Sequence, residues 1–297
     1  MIRIELIMLV AVTSAIGFLL GDVVRAKEPL RVLILDGHNP HHDWQVTTPL
    51  LQHLLRTSGH FVADVATAPP EGEDVSGFRP TLADYDVVLS NYNSQQCSDQ
   101  FKEDFLEFLR GGGGFVCVHA ANNAFADWPE YNRVCGLGGW FGRDERWGPY
   151  VYFQNDELVR DAKSRGLGGS HGMQREFQIV MRDRDHPITQ GLPPVWLHTQ
   201  DELYDRLRGP ANNMRVLASA YADADKGGSG RHEPVMMVLH YGKGRVFHTV
   251  LGHADYSMRC VGFSTTLLRG TEWAATGKVT IPMPKNFPTV RVTSSWE

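Results

Sequence analysis

Within residues 31–36 apolar side chains run without a break from Val32 through Leu33 and Ile34 to Leu35, and lead to Asp36 and Gly37. A half-exposed strand would alternate, so this run fits a parallel strand covered on both faces. Residues 44–58 place Val46, Leu50, Leu51, Leu54 and Leu55 at helical spacing, with Asp43 as N-cap and Gly59 as stop. Further strands are predicted at 61–66 and 86–90. The spacing of Phe101, Phe105, Phe108 and Leu109 predicts a helix over 99–110, and the glycines at 111–114 end it and open a strand at 115–119. Strand and helix repeated in this order predict an α/β fold, a mostly parallel sheet with helices on both faces.

The pattern loosens from 120 to 175, a stretch rich in Gly, Trp and charge that includes the glycines of 136–142 and 166–169. It reads as a long insertion, and insertions of this length in compact domains are often functional covers. Strands resume at 177–181, 216–220, 235–240 and 245–251. A last helix over 263–275 leads into residues 279–282, and residues 223–230 read as an exposed turn. No internal repeat, heptad or low-complexity linker divides the chain, so one domain is expected over 27–284, followed by a tail at 285–297.

The first residues carry a positive charge ahead of an apolar run at 7–20, and Val24, Arg25 and Ala26 offer a cleavage point. This is the grammar of a signal peptide over 1–26, which predicts a secreted or periplasmic mature chain. The alternative is an amino-terminal membrane anchor, but Thr13, Ser14 and Gly17 interrupt the run, which is shorter than the ~20 residues of a span. A net charge of −5 without basic clusters argues against nucleic acid and leaves a small neutral or polar ligand. Cys97, Cys117, Cys135 and Cys260 form no CxxC pair. A disulfide is permitted by an oxidising compartment, but its pairing cannot be read from spacing. Cys117 lies within a strand pattern and reads as a buried small hydrophobe.

In an open parallel sheet, ligands bind beyond the carboxyl ends of the strands. Three such ends deliver histidine: His38, His41 and His42 after the first strand, His119 after the fourth, and His253 after Gly252 late in the chain. Each has a plain structural reading: the first loop braces a helix, and His119 bonds backbone at the end of a buried strand. Gly252 permits a positive φ that could aim His253 into a cleft. His198, Asp201, Glu202 and Tyr204 add an imidazole and two acids in one short segment. Strand alternation sends Glu202 and Tyr204 to one face and Asp201 to the other, though a solvated turn reads equally well. A carboxylate near an imidazole can orient it, raise its basicity or share a metal. His38 and His41, three apart on a loop, can reach one ion, so the metal candidates are His38, His41, His119 and His253 for a divalent cation. His53, His60, His171, His232 and His240 lack such settings and read as structural or surface residues. No GxSxG elbow is expected, no GxGxxG follows the first strand, and there is no P-loop or HExxH.

The strings GGGGFVCVHAAN (111–122), DWPEY (127–131), HPITQGLP (186–193), DELY (201–204) and YGKGRVFHTVLGH (241–253) together resemble the ThuA-like, or trehalose-utilisation, family over residues 31–282. The resemblance implies a flavodoxin-like fold of the class I glutamine amidotransferase type and a role in carbohydrate catabolism. It does not imply amidotransferase activity, because the turn that carries the nucleophilic cysteine of those enzymes here reads His119, Ala120, Ala121. Cys117 sits two residues back, inside the strand, where burial makes a thiol a poor nucleophile. The matching motifs contain His119, Asp201, Glu202 and His253, which are expected as catalytic residues, with His119 and His253 moving protons and Asp201 or Glu202 orienting one of them. His38, His42, Asn122, His198 and Trp140 are expected to bind ligand, and Trp128, Trp140, Phe141 and Trp147 offer aromatic faces for a sugar or for packing. The expected protein is an enzyme on a sugar or keto-sugar, a hydrolase, lyase or isomerase. Two alternatives stay open: a non-catalytic sugar-binding module, and a metal-dependent hydrolase.

Overall fold

The computed structural model describes residues 28–297, so the expected signal peptide lies outside the described residues. Its elements in chain order are β1 (Leu30–Asp36), α1 (Trp44–Thr57), β2 (Phe61–Thr67), β3 (Val87–Ser90), α2 (Asp99–Gly111), β4 (Gly114–Val118), α3 (Pro129–Cys135), β5 (Tyr150–Gln154) and β6 (Glu157–Asp161). These are followed by β7 (Ser170–His171), β8 (Arg175–Met181), β9 (Val195–Asp201), β10 (Tyr204–Asp205), β11 (Arg215–Ala222), β12 (Arg231–Tyr241), β13 (Gly244–Thr249), α4 (Asp255–Met258) and α5 (Val261–Thr276). Among the described residues no helix is long and apolar enough to cross a membrane.

The main sheet runs β2-β1-β3-β4-β13-β12-β11-β8-β9. Its first five strands are all parallel, in the order that defines flavodoxin-like folds. Val32, Leu33, Ile34 and Leu35 are buried, as expected for a strand covered on both sides. One cover is α1, α4 and α5; the other is α2 and α3, joined where Phe105 meets Trp128 and Tyr131. The Asp43 carboxylate caps α1 by accepting from the Val46 N–H, and Ser98 does the same for α2. Gly37 has φ +136, and a Cβ there would lie 2.8 Å from the Ala68 carbonyl oxygen, so only glycine lets the chain leave β1 toward the histidine loop.

Beyond β13 the sheet is antiparallel, so it is mixed overall with a parallel core. The sequence pattern did not mark β9. Its residues run Val195, Trp196, Leu197, His198, Thr199, Gln200, Asp201, a mixture in which His198 and Asp201, both buried, read as solvent-facing positions. Four antiparallel pairings separate β13 from β9, so the two strands point the same way and their carboxyl ends emerge at one edge.

The insertion is more ordered than its composition suggests. It holds α3, the β5–β6 hairpin that joins the sheet through Phe153 and His232, and β7, which pairs with β10. Arg143, fully buried, donates to Asn132 Oδ1 and to the carbonyl oxygens of Asn123, Ala124 and Gly139. A guanidinium fork supplies five donors and can satisfy several loop carbonyls that no ladder reaches. Residues 285–297, expected as a tail, lie against the body: Phe287 packs edge-on against Trp196, and the Trp296 N–H reaches the Arg259 carbonyl oxygen.

His248 on β13 shows how the core fixes a tautomer. Its Nδ1 donates to the Cys135 carbonyl oxygen at 2.9 Å, so Nε2 must accept from Asn122 Nδ2 at 3.0 Å. Burial lowers its pKa to about 4. The folded value lies below the unfolded one, so the unfolded chain binds more protons between pH 6.5 and 4 and stability falls as pH falls through that window. The shift corresponds to about 3 kcal/mol. Urea denaturation at stepped pH is expected to show this loss and to show a shallower slope for His248→Gln; an unchanged slope would rule out His248 as its source.

Candidate functional site

The carboxyl ends of β1, β4, β13 and β9 meet in one cleft. From β1, the loop past Gly37 carries His42, whose Nδ1 lies 2.8 Å from Asn39 Oδ1. From β4 comes His119, whose Nδ1 lies 2.5 Å from the Val250 carbonyl oxygen. It sits at φ 47, a left-handed conformation that is costly for a residue with a Cβ. This is the strand-to-turn position where the amidotransferase resemblance places a cysteine, so the strained turn is kept while its side chain is an imidazole. Cys117 is sealed in β4 with its thiol pKa raised by burial, which removes it as a nucleophile. From β13, Gly252 takes φ +102 and turns the chain to present His253. From β9, Glu202 follows directly after Asp201.

These side chains converge on Glu202. Its Oε2 lies 3.2 Å from His253 Nδ1, 3.6 Å from His119 Nε2 and 3.8 Å from His42 Nε2, and its Oε1 lies 3.2 Å from His171 Nε2. The Nε2 atoms of His42 and His119 are 3.1 Å apart. One ligand atom from each of His42, His119, Glu202 and His253 lies within 4.8 Å of all the others, a set able to hold a metal ion. Burial lowers the His42 pKa to about 4 against the pull of Glu202. Burial by itself would raise Glu202, but the imidazoles of His119, His253 and His42 outweigh it and hold the carboxyl far below its usual range. His253 is raised, because the Glu202 carboxylate outweighs its burial.

Asp201 holds the arrangement in place from behind. It is fully buried and accepts from His198 Nε2 at 2.8 Å, from the N–H of Glu202 at 2.8 Å, of Gly252 at 2.8 Å and of His253 at 3.0 Å. Burial opposes both charges of the pair, yet His198 is raised to about 9 and Asp201 is lowered. Cys260 also lies beside His198, but all three are closed from solvent, so this Cys, His, Asp group meets no substrate.

The cleft encloses about 550 Å³ and is lined by His41, Asn93, Asn123, Trp140, Phe141 and His171 in addition to His42, Glu202, Tyr204 and His253. Tyr204 stacks on His119 at 4.1 Å and meets Trp140 at 4.6 Å. Trp140 and Phe141 have φ 56 and 45, strained backbone that turns both rings to the opening.

Of the residues expected from sequence, His42, His119, Glu202, His253 and Trp140 are brought together, and Glu202 and Tyr204 share a side opposite Asp201. Asp201 and His198 lie behind the cleft rather than in it, and no solvated turn surrounds them. Asn122 is buried on His248 and does not line the cleft. His38 turns away to Glu71 at 3.0 Å, and His41 lines the cleft outside the converging set, so the four donors are not the four first expected. Trp128 is core, and Trp147 lies 5.9 Å from the Arg143 guanidinium, outside this cleft. His171 reads from sequence as a structural or surface residue, yet β7 carries it to Glu202; only its pairing with Tyr204 across β10 reveals this. The neighbouring Ser170 belongs to the string GGSHG (168–172) but bonds Asp205 within this small hairpin and makes no nucleophile elbow.

The family model described as "ThuA: Trehalose utilisation" matches residues 31–274. Among solved structures, a ThuA-like protein from Parabacteroides merdae is 47% identical, with TM-score 0.88, 91% of this chain covered and 98% of that one. A ThuA-like protein from Bacteroides uniformis is 17% identical, with TM-score 0.58, 88% of this chain covered and 97% of that one. A comparison with curated proteins gave no significant match.

Asp201→Ala is expected to cost about 3–5 kcal/mol, the range for removing one partner of a buried ion pair. Urea unfolding at pH 7 measures it, and a loss under 1 kcal/mol would show that Asp201 does not hold the strand ends together.

Proposed function

The chain belongs to the ThuA, or trehalose-utilisation, family, and from that premise we propose that it is an enzyme of carbohydrate catabolism acting on a sugar or keto-sugar in this cleft. The observation that carries the reading is the convergence of His42, His119, His253 and Glu202 on one point at the floor of an open cleft with aromatic walls. Reaction centres are where proteins gather titratable groups at close range and hold them there with buried bonds.

Trp140, Phe141 and Tyr204 offer ring faces to the apolar side of a sugar, and Asn93 and Asn123 offer amide groups to its hydroxyls. His171 is 41% exposed along its side chain and lies within hydrogen-bond reach of Glu202, so it can pass a proton between solvent and the centre. A proton moved next to a carbonyl serves a lyase or isomerase; one delivered to a glycosidic oxygen serves a hydrolase. Export through residues 1–26 belongs to the same reading and would place the enzyme where extracellular sugars arrive.

The test is turnover of trehalose, other disaccharides and their keto derivatives, followed by product chromatography. Glu202→Gln is expected to reduce kcat by about 10²–10⁴-fold, while Trp140→Ala raises KM. Sugar binding with no turnover of any substrate by the wild type would instead favour a binding module.

A further inference from the structure

The hydrogen bonds around the four converging groups decide where their lone pairs point. A carbonyl oxygen only accepts, so the contacts to Asn39 Oδ1 and to the Val250 carbonyl place protons on Nδ1 of His42 and His119. In the neutral rings both Nε2 atoms then carry lone pairs, and these face each other at 3.1 Å. Glu202 Oε2 faces the same point from 3.6 and 3.8 Å. Electron-rich atoms at such distances repel unless a positive centre lies among them. His253 Nδ1 is buried and close to Glu202 Oε2, yet makes no aligned hydrogen bond. Gln174 Nε2 lies 3.0 Å from His253 Nε2, an orientation that leaves the ring proton on Nδ1, while Gln174 Oε1 accepts from Tyr256 Oη at 2.5 Å. With the Gln174 amide turned end for end it accepts from His253 Nε2–H, and Nδ1 becomes a fourth lone pair aimed at the same point.

We propose that His42 Nε2, His119 Nε2, His253 Nδ1 and Glu202 Oε2 bind one divalent transition-metal ion. Ligands of a tetrahedral ion with metal–nitrogen bonds of about 2.0–2.1 Å stand roughly 3.3 Å apart. Four of the six separations among these atoms, 3.1, 3.2, 3.6 and 3.8 Å, bracket that value, and one ligand atom from each residue lies within 4.8 Å of all the others. Imidazole with carboxylate selects zinc, iron, cobalt or manganese over calcium and magnesium, which prefer all-oxygen sites. The supporting bonds match the habit of metal-bound imidazoles, whose second nitrogen is held by a fixed partner. Glu202 Oε1 is engaged by His171, which leaves the carboxylate one oxygen for the ion. An ion that accepts a fifth or sixth ligand would take it from the cleft, as water or as a sugar hydroxyl or ketone.

This inference rests on the reading of the cleft as a reaction centre, but its test reads metal rather than turnover. The chelator-dialysed chain is titrated with ZnCl₂ and MnCl₂ by calorimetry, and with CoCl₂ while the d–d absorption bands are recorded. One ion per chain is expected, zinc tighter than manganese, with cobalt bands of a four- or five-coordinate site. His42→Ala and Glu202→Gln should each weaken zinc binding on the order of 100-fold, and Asn39→Ala by about 10-fold. His38→Ala, whose imidazole faces Glu71, should bind as the wild type, and circular dichroism confirms that the variants are folded. No saturable binding by the wild type, or unchanged binding by folded His42→Ala and Glu202→Gln, overturns the inference. Stoichiometric metal with no sugar turned over upholds it and overturns the proposed function; sugar turnover with no saturable metal binding does the reverse.

Discussion

The carboxylate of Asp201 is the constraint on which the site depends. It sits where two distant parts of the sheet return to the same edge, and it binds the backbone of both. Its charge is balanced by His198, also sealed from water, so removing either partner leaves the other buried and uncompensated. The N–H groups of Gly252 and His253 have no ladder partner once β13 has ended, and the carboxylate satisfies them. The same side chain therefore terminates β13, anchors the end of β9 and fixes the spacing between His253 and Glu202.

The remaining members are set by backbone that few residues tolerate. His119 follows a buried parallel strand in a left-handed turn, and Trp140 and Phe141 adopt the same region where the insertion folds over the opening. Such conformations persist only when the surroundings over-determine them. Around His119 that role falls to the Val250 carbonyl and the stacked Tyr204 ring; around Trp140 it falls to Arg143, which pins the insertion by its carbonyls. The fold thus concentrates strain and buried charge at the one edge where a flavodoxin-like sheet binds ligands.

Much of the architecture was written in local pattern. Unbroken apolar runs identify β1, β3 and β4 because burial on both faces leaves no solvent-facing row along the strand for polar side chains. Helical spacing marks α1 and α2, with Asp43 as the cap of the first, and the histidines at strand ends mark the edge where the cleft lies. The sequence by itself determined the parallel core, the cleft edge and the family. Only the tertiary structure decided that β9 is a strand, that Asp201 and His198 are core, and that His42 and His171 join Glu202 while His38 does not. The physical reason is that these outcomes depend on pairing between residues far apart: four antiparallel crossings bring β9 back to β13, and β10 carries β7 with it. Hydrophobic periodicity records which face of an element is buried, but a polar side chain buried against a distant partner leaves no such record.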